Sequence, residues 1–204
     1  RRVLFRSNSY GVVSTNLVFN IARASSVIRM NDTNRFTYNR YPQGPVSVYK
    51  TGSGGAVSLS YEGVNGTSYA ASASKPTGAG DYTVTATVDG DSNYEGATSS
   101  AFAFTIEKAV PTITVAPTAS AISYGQNLSA SSLTNGVASV PGNFAFTSPS
   151  TKPNAGTGSQ GVTFTPTDTA NYTTATTTVS VTVNAARDRK STRLNSSHAN
   201  ISYA

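Results

Sequence analysis

The chain has 204 residues, room for one or two domains, with Ser and Thr at 58 positions, 37% hydrophobic and 12% charged residues, and no cysteine. So few charges exclude a charge-rich disordered chain, so few apolar residues exclude one thick core, and the absence of cysteine excludes disulfide staples and thiolate metal sites. The net charge of +6 belongs to the ends: residues 1–7 and 187–204 carry +3 each, and residues 8–186 balance eight basic against eight acidic side chains, so the body lacks the basic stripe of a nucleic-acid binder.

The first predicted element is a strand in "NLVFNIARA" (Asn16 to Ala24), where Leu17, Phe19 and Ile21 alternate with small or polar residues. Strict alternation buries one strand face and wets the other. The same ending recurs in "AFAFTIEKA" (Ala101 to Ala109), with Phe102, Phe104 and Ile106 on one face, and in "TVSVTVNAA" (Thr178 to Ala186), with Val179, Val181 and Val183. Between these endings, "KPTGAGDYTVTATVDGDSNY" (Lys75 to Tyr94) parallels "KPNAGTGSQGVTFTPTDTANY" (Lys152 to Tyr172). Tyr82, Val84, Ala86 and Val88 point one way in the first; Val162 and Phe164 point inward in the second.

Strands of the second copy are expected at Ile113–Val115, Ile122–Tyr124, Leu128–Leu133, Phe144–Phe146, Val162–Phe164 and Val179–Val183, punctuated by Gly125, Pro141, Gly142, Pro149, Pro153 and Gly156. Ile21 to Ile106 spans 85 positions and Ile106 to Val183 spans 77, which sets the repeat period. Roughly seven short strands per period suit a β-sandwich, with a small barrel as the alternative. The expected fold class is all-β: tandem immunoglobulin-like β-sandwich domains. Phe104, Ile106, Val84, Phe146, Phe164 and Val181 should lie in the cores. The domain reading is 1–7 as a flank, 8–26 as the last strand of a truncated preceding repeat, 27–109 and 110–186 as two repeats, and 187–204 as a disordered tail. The orphan strand, Leu17 to Ile21, should lie loosely or pair with an open sheet edge. The short joint "EKAVPT" (Glu107 to Thr112), with Pro111, suggests an extended rod.

"FTYNRYPQGP" (Phe36 to Pro45), "SYEGVNGTSYAASASKPTGAGDYTVTATV" (Ser60 to Val88) and "SNYEGATSSAFAFTIEKA" (Ser92 to Ala109) resemble one full member of the bacterial Ig-like MBG repeats. "ISYGQNLSASSL" (Ile122 to Leu133) and "GNFAFTSPSTKPNAGTGSQGVTFTPTDTANYTTATTTVSVTVN" (Gly142 to Asn184) resemble a second. The resemblance implies tandem domains of a large secreted or surface adhesin-like protein and carries no catalytic residues. One departure is Arg40, where the family has a glycine after the Asn or Asp of "TYN". The flanks "RRVLFRS" and "RKSTRLNSSHANISYA" resemble translated sequencing-adapter DNA, as at the ends of metagenomic fragments. Arg1 is preceded by no Met or signal peptide, which fits an internal fragment of a longer protein.

The candidate chemistry is sparse. His198 sits among Asn, Ser and Ala in the tail, with no orienting carboxylate near it. "DGDSN" places Asp89, Asp91 and Asn93 at alternate positions like the first half of a calcium loop, but Tyr94 and Ser100 stand where that pattern wants Gly and Glu, and the second copy keeps only Asp168. A polar hairpin turn is the simpler reading. Tyr10, Tyr94 and Tyr172 recur at one repeat position, as sugar-stacking platforms or as internal tyrosines whose hydroxyls cap a loop. Lys50 or Lys108 with Asn65 or Asn93, and Glu62 as the acid, are candidates for an isopeptide cross-link. No catalytic, cofactor-binding or metal residues are assigned, and no run is long and apolar enough to span a membrane. The functional expectation is a non-enzymatic stalk at the bacterial cell surface, its partners the neighbouring repeats of its own chain. The alternatives are a glycan- or protein-binding module and, more distantly, an accessory module of a secreted enzyme.

Overall fold

The computed structural model describes residues 3–6, 12–15 and 18–186. The fold is all-β and of β-sandwich type, and the one helical element among the described residues is a single 3-10 turn, Leu128–Ala130. No helix among the described residues is long and apolar enough to cross a membrane. Two compact units divide the chain. The first runs to Thr105 and leaves out Thr37–Tyr41 and Thr77–Ala79, which group with the second, from Ile106 onward.

Strands β1 (Val3–Arg6) and β2 (Val12–Thr15) form an antiparallel hairpin. Then β3 (Val27–Met30) pairs antiparallel with β5 (Val48–Thr51). A second sheet takes β4 (Arg35–Thr37), β9 (Phe102–Glu107), β7 (Gly80–Val88) and β6 (Val57–Val64) in that spatial order, with β8 (Ala97–Thr98) also on β7. The β7 pattern behaves as its alternation demands: Tyr82, Val84, Ala86 and Val88 are all buried, and none is more than 3% exposed. The core of this unit is aromatic. Phe104 stacks on Tyr82 at 5.4 Å and meets Phe36 and Tyr61 edge-on at 5.9 and 6.1 Å. Tyr61 is buried and donates its hydroxyl to Pro45 O at 2.6 Å, which satisfies the polar end of an otherwise apolar side chain. Burial, with the Asp32 charge nearby, pushes the Tyr61 phenol up from its usual range.

In the second unit, β10 (Ile113–Val115) pairs with β14 (Val137–Ala138), and β11 (Thr118–Ala119) with β13 (Leu133–Thr134). The main sheet has the order β12 (Ile122–Ser123), β17 (Ala175–Asn184), β16 (Gly156–Pro166), β15 (Gly142–Phe146). β12 lies parallel to β17; the other pairs are antiparallel. Ile122, Leu128, Phe146, Val162, Val179, Val181 and Val183 form its core, with Phe144 packed against it. All six residues expected in the cores are buried.

Two predicted strands are corrected. Val18–Arg23 forms no strand, and Val18, Phe19 and Ile21 are 91%, 72% and 91% exposed. Alternation alone cannot make a strand without a partner edge, and Leu17 lies outside the described residues. Leu128–Leu133 is likewise not one strand. Its ends are an odd five positions apart, so a continuous strand would turn them to opposite faces. The 3-10 turn instead drops Leu128 into the core, and Leu128 N and Ser129 N donate to Thr151 O and Pro149 O at 2.9 Å each. The turn at Arg40 does form: φ is +72°, in the left-handed region that favours glycine, and Asn39 Oδ1 accepts from Tyr41 N at 2.9 Å. The Arg40 side chain then donates from Nε to the Tyr172 hydroxyl at 3.0 Å, a contact within the second unit that offsets part of the backbone cost.

Candidate functional site

The "DGDSN" turn follows β7, where the strand runs out into Asp89. Asp91 Oδ2 accepts from Gly54 N at 2.8 Å, and Oδ1 from Asn93 N and Tyr94 N at 2.9 Å each. The Gly54 amide, with those of Asn93 and Tyr94, holds the Asp91 carboxyl below the usual carboxylate range, because each bond favours the charged form. Ser53, buried beside this turn, donates its hydroxyl to Asp89 O at 2.6 Å and accepts from Gly55 N at 2.9 Å. Ser26 Oγ accepts from Ser53 N and donates to Glu95 O. Asp91 thus acts as a turn-building acceptor that ties the 52–55 loop to the 89–95 turn. Nothing near Ser53 in sequence marked it, since it lies 36 positions from its partner.

Asp168 shapes a turn in the second unit through side-chain bonds to Asn171 alone. Its Oδ1 accepts from Asn171 N at 3.1 Å and its Oδ2 from Asn171 Nδ2 at 2.9 Å. No cluster of three His, Cys, Asp or Glu side chains forms among the described residues.

The Asn–Tyr pair does its work through the backbone. Ala24 makes a parallel bridge with Tyr94: Ala24 N donates to Asn93 O at 2.9 Å, and Glu95 N to Ala24 O at 2.8 Å. Ala109 makes the same bridge with Tyr172: Ala109 N donates to Asn171 O at 3.0 Å, and Thr173 N to Ala109 O at 2.9 Å. The residue before each alanine is basic. Arg23 pairs with Glu95 at 2.9 Å and reaches Asp91 O, and Lys108 Nζ donates to Thr169 O at 2.7 Å.

The side chains of the recurring tyrosines are half-buried at Tyr94 and Tyr172. Tyr172 meets the Tyr38 ring edge-on at 5.2 Å and takes its hydroxyl bond from Arg40, a side chain rather than a loop backbone. Tyr61, which sequence reasoning passed over, is a buried tyrosine whose hydroxyl does cap a loop, at Pro45 O. Within the second unit, Tyr38, Arg40, Val140, Pro141, Thr167, Asp168 and Tyr172 line a concavity of about 380 Å³.

Lys50, Lys108 and Asn65 each make a hydrogen bond to a group other than an isopeptide partner. Lys50 Nζ donates to Gly55 O at 2.9 Å, Lys108 to Thr169 O, and Asn65 Nδ2 lies 3.4 Å from Asp81 Oδ2, while Glu62 is exposed. His198 and Tyr10 lie outside the described residues.

A second carboxylate, Asp32, organises the other end of the first unit. It accepts from Val46 N at 2.7 Å, Ser47 N at 2.9 Å and Thr33 N at 2.7 Å. The Ser47 and Val46 amides hold its carboxyl below the usual range. A depressed carboxylate contributes stability that is present above its unfolded value, about 3.9, and is lost as pH falls through the folded one. The melting temperature of the full chain is therefore expected to hold from pH 7 to about 4 and fall below it. The D32N/D91N double variant should show a shallower fall between pH 4 and 2 than the parent; an identical profile would show that these two carboxylates do not govern it.

Neither a family model nor a curated protein matches the chain. Among solved structures, the crystal structure of Drosophila N-cadherin EC1-4 is similar at 8% identity and a TM-score of 0.25, covering 78% of this chain and 50% of that one. The crystal structure of Drosophila N-cadherin EC1-3 is similar at 9% identity and the same TM-score, covering 81% and 68%. The chain spans half the length of the first of these, and a likeness of this size says nothing about what the chain binds or does.

Proposed function

We propose that the two units are non-catalytic, MBG-type spacer repeats in the stalk of an adhesin-like protein at the bacterial cell surface. The observation that supports this reading is where the reactive side chains are spent. Asp91, Asp168, Ser53 and Lys108 are each engaged with the backbone of a turn or connector, the work of holding a domain in shape. Catalysis needs the opposite arrangement, with a nucleophile, a base and an orienting group converging on one open cleft. Facing β strands covered in Ser and Thr, as at Thr157 with Thr182 and Thr147 with Thr163, give a solvated surface suited to a spacer.

One observation favours the alternative, a glycan- or protein-binding module: the concavity around Tyr38, Arg40 and Tyr172 combines aromatic edges with a guanidinium. A glycan array probed with the purified full chain separates the two. The spacer reading expects no reproducible hit. A hit that disappears in Tyr172→Ala would replace it with the binding reading and place the ligand in that concavity.

A further inference from the structure

The alanine bridges repeat as a set, independently of the functional reading above. In each unit a basic residue and an alanine lie shortly before a strand, β3 in the first and β10 in the second, and the alanine is bracketed by two backbone hydrogen bonds from an Asn–Tyr turn in the same unit. The alanine donates to the Asn carbonyl and accepts from the residue after the Tyr. The basic side chain reaches a carbonyl two residues before the Asn: Asp91 O for Arg23 and Thr169 O for Lys108. Asp91 and Asp168 shape the two turns that receive this step by accepting from their own Asn. Neither periodicity nor composition points to this contact, since it joins residues 70 positions apart in one unit, Ala24 to Tyr94, and 63 in the other, Ala109 to Tyr172.

We propose that each Asn–Tyr turn is a docking site for the backbone of an extended basic–alanine strap, and that the strap, rather than the strand that follows it (β3 or β10), is where each repeat's cooperative folding unit begins. The two straps differ in one respect. Arg23 has a carboxylate partner in Glu95, and the residue at the matching place in the second unit is Thr173. The difference makes the proposal testable by gain as well as by loss.

The test is amide hydrogen exchange on the full chain. The amides of Ala24 and Glu95, and of Ala109 and Thr173, should be protected to within about tenfold of the Val84 and Val162 core amides of their units, as members of the same cooperative unit are. Exchange at fraying rates, orders of magnitude faster than the core, would overturn the proposal without any variant. Ala109→Pro removes the donor to Asn171 O and should release Thr173 while leaving Ala24 and Glu95 protected; unchanged protection at Thr173 would count against docking. Thr173→Glu gives Lys108 the partner that Arg23 already has. It should raise the second unit's melting temperature by about 2–4 °C at low salt, and the gain should vanish in 1 M salt. A salt-independent change, or none, would mean that the basic residue is not part of the strap.

Discussion

Phe104→Ala is expected to lower the stability of the first unit by about 3–5 kcal/mol, the range for deleting a buried aromatic ring from a packed core. Phe104 is 3% exposed, and its ring is the common neighbour of Phe36, Tyr61 and Tyr82. Removing it strips one face from three aromatic side chains at once and leaves a void that rigid rings cannot close. Gly44 adds to the constraint: a Cβ there would come within 3.2 Å of the Phe104 ring, so the Gln43–Pro45 backbone already lies against it. The measurement is urea unfolding of the full chain, followed by circular dichroism. A chain of two units should show a loss confined to the first unit's transition. A shift of less than about 1 kcal/mol would mean that the sandwich is not built around this ring.

The second large effect is expected at a residue without a side chain. Gly55→Ala should cost about 1–3 kcal/mol, because the new Cβ would collide with the carbonyl oxygen of Asp89, and backbone cannot swing aside as a flexible side chain does. The collision follows from the closeness of the 52–55 loop to the turn after β7, where Asp89 N also donates to Ala56 O at 2.9 Å. Two neighbours serve as controls. A Cβ on Gly54 would meet Asp91 Oδ2 at 3.8 Å, ordinary contact, so Gly54→Ala should be nearly neutral. Gly66 has φ of +88° with open space around it, so Gly66→Ala should show backbone strain alone, about 1 kcal/mol. Thermal unfolding of the three variants should rank Gly55→Ala as the most damaging. A Gly55 variant no worse than Gly66→Ala would place the two loops further apart than the structure does.

Much of the fold was legible because strands announce themselves by period. Tyr82 to Val88 and Val179 to Val183 alternate without a break, and a two-residue period admits only one way of burying a face. The same logic failed where the partner, rather than the pattern, decides. Phe19 and Ile21 belong to a segment that alternates much as β9 does, yet they stay exposed and pair with no strand among the described residues. At the candidate site, the Asp, Asn and Tyr of the turns were visible as repeated letters, but their task was not. Asp91 could be read as half of a cation loop until Gly54 was seen donating to it, and Tyr172 as a loop cap until Arg40 supplied its bond.

By itself, the sequence determined that the chain is all-β, that Val84, Phe104, Ile106, Phe146, Phe164 and Val181 are core residues, and that its body is electrically neutral. These are properties of local order and composition, and side-chain chemistry records them directly. The tertiary structure alone decided that Ala24 and Ala109 dock in the Asn–Tyr turns, that Ser53 locks a distant loop, and that an arginine occupies a left-handed turn. Those outcomes rest mainly on backbone amides and carbonyls, which every residue carries alike. A bond between two of them leaves almost no mark in the sequence until the fold brings them within reach.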